Sequence, residues 1–266
     1  MPKSPLTDAP STEAALADAL AEVRPVAALG PGVRTEMHAL LAAHFGNASR
    51  AAFERDLDEK DVAVLLRDTS GTLRGFSTLL RLDTCAAGRP ASVWFSGDTV
   101  VEAAHRHTAS LPRAWSRHVF ADARARPDVP TYWFLICSGY KTYRFLPTFY
   151  RHFLPAPEGT EDLVERALLD AVATARYGPR YDASTGLVRL DHPTPLRPGV
   201  ADLTPARLRD PHVAFFASRN PGWARGDELA CLCRIHPDNL TDAGRRMVGP
   251  DLARPTADVP LVPSLP

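Results

Sequence analysis

Apolar and polar residues alternate along the middle of the chain in patterns that predict helices and strands. Apolar side chains recur three or four positions apart in three segments, and a shorter segment that begins with a serine has a similar pattern. Compact apolar runs bounded by turn residues have the length of strands. The predicted helices are 33–46, 49–60, 108–126 and 161–176, and the predicted strands are 62–68, 73–83, 90–102, 131–139 and 186–190.

Three residues inside the third predicted strand interrupt its apolar pattern. Ser96, Gly97 and Asp98 follow the run "SVWF", and a glycine inside a strand indicates a bulge or a close approach of another backbone. The next strand, 131–139, is apolar on both faces, which is typical of a central, buried strand. We therefore expect an irregular strand and a buried central strand in the same sheet.

The two ends of the chain are rich in proline. Residues 11–22 predict a short helix within a partly flexible N-terminal extension, and the last residues predict a disordered or draped tail. Near the C-terminus, 212–220 and 228–236 predict a closing antiparallel pair of strands. The predicted domains are an extension over 1–30, one domain over 31–249 with an insertion at 156–210, and a tail over 250–266. The order of elements predicts an α/β (α+β) fold, in which a mixed sheet carries helices on its faces.

The composition narrows the classes of function. The 266 residues include 31 basic and 31 acidic side chains, so no overall field favours a nucleic acid or a membrane surface. Four cysteines are too few and too scattered for a disulfide framework. No apolar run has the length of a membrane span, and the first residues lack the apolar core of a signal peptide. We expect a cytoplasmic protein.

Two segments carry a resemblance to a known family. In "VVEAAHRHTASLPRAW" (100–115), Arg106 stands at the arginine of a loop that opens a helix, while Ala109 and Leu111 stand where small residues are usual. In "YKTYRFLPTFYRHF" (140–153), a predicted helix that Pro147 kinks or begins, apolar and aromatic residues recur at the spacing of a last core helix. Together with the element order, these segments resemble the GNAT superfamily of N-acyltransferases.

The resemblance implies a fold and a donor. The fold is a mixed, mostly antiparallel sheet with splayed central strands and helices on both faces. The donor is a coenzyme A or phosphopantetheine thioester, with no tightly bound cofactor and no metal. Its pyrophosphate lies at a helix start, because backbone N–H groups there attract anions. The implied donor-binding residues are Val100, Arg106, His107, Thr108, Ala109 and Ser110. The altered loop is similar to that of the branches that use acyl carrier protein.

The resemblance also implies catalytic positions. Tyr150 matches a tyrosine that acts as general acid toward the leaving thiolate, and Tyr143 is a second choice. Asp98 or Glu102 is the candidate general base. The residues expected to contact the substrate beside the splayed strands are Ser96, Cys137, Ser138 and Tyr140. Four of these residues have an ordinary structural alternative. Asp98 is then a turn residue, Glu102 a solvated strand end, Tyr150 packs a helix, and Cys137 packs a strand.

Arginines are dense in the predicted helix that follows the loop. Arg113 and Arg117 are four positions apart, so they lie on one helical face. They form either a solvated face or a docking surface for a phosphate-bearing donor. The docking alternative includes coenzyme A, an acyl carrier protein and an aminoacyl-tRNA.

Three hypotheses about function follow. The first is an N-acyltransferase that acts on the amine of a small metabolite, and the second is a related enzyme with a macromolecular donor, either a carrier protein or a charged tRNA. The third is a non-catalytic binding protein of the same fold. A homodimer is compatible with each of them. Cys231, Cys233 and His236 have the spacing of metal ligands but lack a fourth ligand, so we expect no metal there.

Overall fold

The computed structural model describes residues 20–86, 88–158 and 162–254, and these form one sheet of eight strands with helices on both faces. The strand order is β1-β2-β3-β4-β5-β8-β7-β6. The strands are β1 (Leu20–Pro25), β2 (Val62–Arg67), β3 (Leu73–Ala86), β4 (Arg89–Val101), β5 (Thr131–Cys137), β6 (Tyr181–Asp182), β7 (Leu187–Val188) and β8 (Glu228–Arg234). All neighbours are antiparallel except β4 and β5, which are parallel. The predicted fold class, a mixed and mostly antiparallel sheet, is confirmed.

The helices cover the sheet because its strands are apolar on both sides. They are α1 (Pro31–His44), α2 (Arg50–Asp58), α3 (Ser110–Ala125), α4 (Tyr140–Tyr143), α5 (Phe145–Phe149), α6 (Leu163–Tyr177), α7 (Pro211–Arg219) and α8 (Asp242–Val248). Alternate residues of β2 show the two layers. Val64 and Leu66 pack in the core with α3, whereas Ala63 and Leu65 pack in the core with α1 and α2. A third apolar cluster joins α6 to β4 and β8.

The parallel pair at the centre of the sheet is paired over only part of its length. Pairing between β4 and β5 runs from Ser92 opposite Thr131 to Ser96 opposite Leu135. Beyond that point β4 pairs with β3 alone, and β5 pairs with β8 alone. The strands thus separate at their C-terminal ends, as the family resemblance implies.

The predicted bulge in β4 is present at the start of this separation. Ser96 pairs with Leu79 of β3 and Thr99 pairs with Ser77, so Gly97 and Asp98 together stand opposite Thr78. A bulge of this kind bends the strand and redirects the side chains that follow.

The predicted helix at 11–22 is wrong in the part that the structure describes. Residues 20–25 are not helical but form β1, which pairs with β2 at the edge of the sheet. The rest of the predicted helix lies outside the described residues. The sheet thus includes residues of the predicted extension over 1–30.

The predicted strand at 212–220 is also wrong, because these residues form α7. Asp210 caps the helix by accepting hydrogen bonds from the backbone N–H groups of His212 and Val213, and Pro211 occupies its first position. Both features favour a helix start. The partner predicted for β8 is therefore absent, and β8 pairs with β5 and β7 instead.

The predicted helix from Tyr140 is divided into α4 and α5 at Arg144, and Pro147 is the third residue of α5. The predicted insertion at 156–210 supplies α6 and the two short strands at the far edge of the sheet. The tail lies outside the described residues beyond residue 254. No described helix is both long and apolar enough to span a membrane.

The bulge generates a prediction about stability. A Cβ atom at Gly97 would lie 2.6 Å from Thr78 Oγ1 and 2.7 Å from Lys60 Cε, both of which are buried. We expect Gly97→Ala to lower the free energy of unfolding by about 1–3 kcal/mol through overpacking, as measured by urea denaturation. The matched control is Gly32→Ala in α1, where no atom lies within 4 Å of the added Cβ. Equal stability of the two variants would contradict this account of the bulge.

Candidate active site

A cavity of about 760 Å³ lies where β4 and β5 separate. One side of it is formed by β4 from Phe95 to Val101 and by the residues that follow β5. The cavity extends on one side to α2 and α6, and on the other to the start of α3. It therefore passes between the strand ends and connects the two helical layers.

Two carboxylates face the end of the cavity near α2 and α6. Asp98 lies in the bulge of β4, and Glu228 is the first residue of β8. Burial and the nearby Asp56 carboxylate raise the pKa of Asp98 to about 7, against a smaller opposing effect of Lys60. Burial, together with Asp98 and Asp56, raises the pKa of Glu228 to about 7, although the Ser138 hydroxyl donates a hydrogen bond to it. Both groups can therefore exchange protons near neutral pH.

Two cations lie beside these carboxylates but are paired with others. The Lys60 side chain is fully buried, and its Nζ lies 2.7 Å from Asp56 Oδ1. The Arg176 guanidinium lies over the Phe95 ring at 4.6 Å and pairs with Glu59 at 2.9 Å. This end of the cavity thus brings four carboxyl groups, Asp56, Glu59, Asp98 and Glu228, together with four basic side chains, Arg55, Lys60, Arg176 and Arg180.

The opposite end of the cavity is formed by the start of α3. Arg106 and Thr108 line it, and the Arg106 Nε donates to the Val101 carbonyl at 3.1 Å. The Thr108 hydroxyl is buried and has no hydrogen-bond partner among the described residues. His107 and Ala109 line an adjoining groove of about 350 Å³.

Five of the six predicted donor-binding residues line the cavity or its adjoining groove, and one of the five, Val100, lines the cavity from β4. Ser110 is the first residue of α3 and does not line either. Among the predicted substrate-binding residues, Ser96 and Ser138 line the cavity. Ser96 is held in place by Trp133, whose Nε1 donates to its hydroxyl at 2.9 Å.

The predicted catalytic tyrosines lie in the core, outside the cavity lining. Tyr150 is 3% exposed and packs against Trp133, with 5.9 Å between ring centroids. Tyr143 is fully buried, and its hydroxyl donates to the Pro155 carbonyl at 2.8 Å. Burial raises the pKa of both phenols. The geometry does not support a role for either as general acid.

Two predicted substrate-binding residues are also in the core. Cys137 is fully buried, with its Sγ 3.8 Å from Cys231 Sγ on the neighbouring strand. Burial raises the pKa of the Cys137 thiol, which disfavours a thiolate nucleophile. Tyr140 begins α4 and is 6% exposed. These side chains pack the sheet against α4 and do not line the cavity.

Glu102 and the two helical arginines have different surroundings from those predicted. Glu102 does not line the cavity and pairs with Arg74 at 3.1 Å. Arg117 pairs with Asp251 at 2.7 Å and donates to the Val248 carbonyl, so it fastens the C-terminal segment to α3. Arg113 is exposed and forms no ion pair with any described residue. Of the predicted docking pair, Arg113 alone is available to an external anion.

Sequence reasoning missed four ionisable residues of the site. Lys60 follows α2, Arg176 and Tyr177 end α6, and Glu228 begins β8. Glu228 gave one usable signal: it is an acidic residue directly before the apolar run "LACLC". A carboxylate at the entry of a buried strand requires a partner or a function. The other three carry no local signal, because only the tertiary fold brings α2 and α6 to the end of β5.

Comparisons with known proteins find partial matches to solved structures. No known family model matches the chain, and no curated protein matches its sequence. A conserved protein from Enterococcus faecalis described as a probable N-acyltransferase shares 16% identity at a TM-score of 0.38, over 50% of this chain and 33% of that one. The chain thus corresponds to about a third of that protein.

Two further structures match over a larger share of their own length. A GNAT-family N-acetyltransferase from Escherichia coli, solved with CoA, shares 17% identity at a TM-score of 0.36, over 50% of this chain and 68% of that one. A glucosamine-6-phosphate N-acetyltransferase from Arabidopsis thaliana shares 12% identity at a TM-score of 0.35, over 54% and 98%. Similarity at this level identifies neither a reaction nor a site residue in this protein.

The two raised pKa values generate a prediction about stability and pH. The ordinary pKa values of 3.8 for Asp98 and 4.5 for Glu228 rise to about 7 on folding. Between these limits the native state binds more protons than the unfolded state, so these groups make stability fall as pH rises toward 7. We expect the melting temperature of the double variant Asp98→Asn, Glu228→Gln to fall less over this range than that of the wild type.

The control for this measurement is Glu36→Gln, which changes an exposed glutamate on α1 that pairs with Arg67. It should keep the wild-type dependence of melting temperature on pH. If the double variant keeps the same dependence as the wild type, the two carboxylates are not protonated in the folded protein near neutral pH.

Proposed function

We propose that this protein transfers an acyl group from a thioester to the amine of a small metabolite. The observation that carries the proposal is the cavity at the separation of β4 and β5, with Asp98 inside it. A general base must lie beside the reacting amine, and Asp98 has a pKa of about 7. The cavity also opens onto both helical layers, so donor and acceptor can enter from opposite sides.

The reaction needs one new bond and one broken bond. The amine nitrogen attacks the thioester carbonyl carbon, the C–N bond forms, and the C–S bond breaks. Asp98 accepts the proton that the amine loses, and the sulfur leaves as a thiolate that takes a proton from water. The backbone groups of β4 that face β5 beyond Ser96 are unpaired with that strand, so they are available to polarise the carbonyl.

The start of α3 is the proposed site for the phosphate groups of the donor. Leu111 and Pro112 of its first turn line the same cavity end as Arg106 and Thr108. A helix start and an arginine together favour an anion. Coenzyme A or a phosphopantetheine arm is the donor that fits, since each combines a phosphate with a thioester.

The first experiment offers the purified protein several donors with a mixture of amines. The donors are acetyl-CoA, a long-chain acyl-CoA, an acylated carrier protein and a pool of aminoacyl-tRNA, and intact mass spectrometry follows their consumption. Consumption of a thioester with formation of an amide supports the proposal. If no donor binds and none is consumed, acyl transfer is the wrong reaction.

A variant tests the role of the base. We expect Asp98→Asn to lower kcat/KM about 10²–10⁴-fold, which is the usual contribution of a general base. In the wild type, kcat/KM should rise with pH through about 7, because Asp98 must be deprotonated to accept a proton. Glu102→Gln is the matched control, since Glu102 pairs with Arg74 outside the cavity. Equal losses in both variants would rule out Asp98 as the base.

A macromolecular donor is the second candidate, and the surface beside the cavity favours it. Burial and the nearby Arg106 and Arg207 lower the pKa of Lys141, which shows that these cations stand close together. Arg113 is exposed in the first turn of α3, and Phe145 is 38% exposed in the adjoining groove. A basic surface around an exposed aromatic ring fits an acidic carrier protein or a nucleic acid.

Charge reversal distinguishes the two kinds of donor. We expect Arg113→Glu to lower kcat/KM several-fold for a macromolecular donor, more at low salt than at high salt, and to leave free acyl-CoA almost unaffected. The control is Arg89→Glu, an exposed arginine at the opposite end of β4. If neither donor responds to Arg113→Glu, this surface does not bind the donor.

A further inference from the structure

The α2–α6 end of the cavity is built around a pair of carboxylates. In the sheet, β4 and β8 lie on either side of β5, so Asp98 and Glu228 stand on the two sides of the β5 end. Both line the cavity. Glu228 is only 7% exposed, and the Ser138 side chain is a hydrogen-bond partner of its carboxylate.

The nearby cations do not neutralise this pair. Lys60 is paired with Asp56 at 2.7 Å, and Arg176 with Glu59 at 2.9 Å and Asp56 at 3.5 Å. Among the residues that the structure describes, neither Asp98 nor Glu228 has a cationic side chain within 4.0 Å. Buried carboxylates without a cationic partner are costly, and a cation that enters the cavity removes part of that cost.

The other ionisable groups near the pair come from α2 and the residues after it, from α6, and from the turn beyond α6: Arg55, Asp56, Glu59, Lys60, Arg176, Tyr177 and Arg180. Arg55 and Arg180 line the cavity, but neither forms an ion pair with Asp98 or Glu228. Arg180 pairs with Asp191 and donates to the Tyr177 carbonyl. Its side chain is 42% exposed.

We propose that the acyl acceptor is a small diamine or polyamine. Asp98 accepts the proton of the amine that reacts, and Glu228 holds a second amine that stays protonated. This inference rests on the proposed acyl transfer and names the class of its acceptor. An acceptor with a carboxylate in place of the second amine would meet Asp98, Glu228 and Asp56 at once, so it binds poorly.

Isothermal titration calorimetry without any donor tests the inference. The probes are a linear diamine, the monoamine of equal chain length, and the amino acid in which a carboxylate replaces the second amine. At pH about 7 we expect the diamine to bind at least tenfold more tightly than the monoamine, and the amino acid to bind most weakly. Titrations in two buffers with different ionisation enthalpies should show that the diamine releases protons, because an ammonium group lowers the pKa of a nearby carboxylate.

Variants then assign the second amine to Glu228. We expect Glu228→Gln to remove the preference for the diamine over the monoamine, while Glu165→Gln keeps it. Glu165 is a partly buried glutamate on α6 that does not line the cavity. The melting temperature of each variant shows that it is folded. The proton-release titration uses the wild type, so it tests the inference even if a variant does not fold.

Equal affinity for the diamine and the monoamine, or tighter binding of the amino acid, would overturn the inference. So would a preference for the diamine that survives in Glu228→Gln. These results are separate from the test of the proposed function. Consumption of a thioester with other amines, combined with no selective binding of the diamine, refutes the acceptor class and leaves acyl transfer intact.

Discussion

The candidate site depends on the point at which the hydrogen bonds between β4 and β5 end. Up to Ser96 and Leu135 the two parallel strands are paired, and after them each strand keeps its other neighbour. A parallel pair is held by its ladder and by packing on both faces, so the sheet can separate there without losing its outer pairs. The bulge at Gly97 and Asp98 bends β4 at the same place. The cavity and its carboxylate therefore arise from one local irregularity.

The charges in the cavity oppose the stability of the fold. Apolar clusters surround the site, with Phe95 in the cluster of α6 and Val100 in the cluster of α1 and α2. Within this frame the protein buries the Lys60 side chain fully and holds Glu228 at 7% exposure. Packing and the pair between Lys60 and Asp56 offset part of the cost. Strain or charge that a fold does not need is most often found at functional sites.

Local patterns in the sequence predicted most of the central sheet, and the reasons for their failures are physical. The bulge at Gly97 was predictable because a glycine inside a strand indicates a bulge or a close approach of another backbone. The segment at 212–220 has an apolar run that suits either element, and its start at Asp210 and Pro211 is what makes it a helix. Glu228 and Lys60 are far apart in sequence, so no local pattern relates them. Tyr150 has the expected spacing, but the turn of α5 directs it into the core against Trp133.

The position of Tyr150 changes what the chemistry requires. A free thiol has a pKa of about 8.5, so its thiolate is a weak base and can leave without a proton donor. An alkylamine has a pKa near 10.4, as lysine shows, so it is protonated at neutral pH and cannot attack until it loses a proton. The base is thus the group that acyl transfer to an amine cannot omit. The structure places Asp98 in the cavity with a pKa of about 7 and keeps Tyr143 and Tyr150 in the core. This arrangement suits a reaction that needs a base for the amine and no acid for the thiolate.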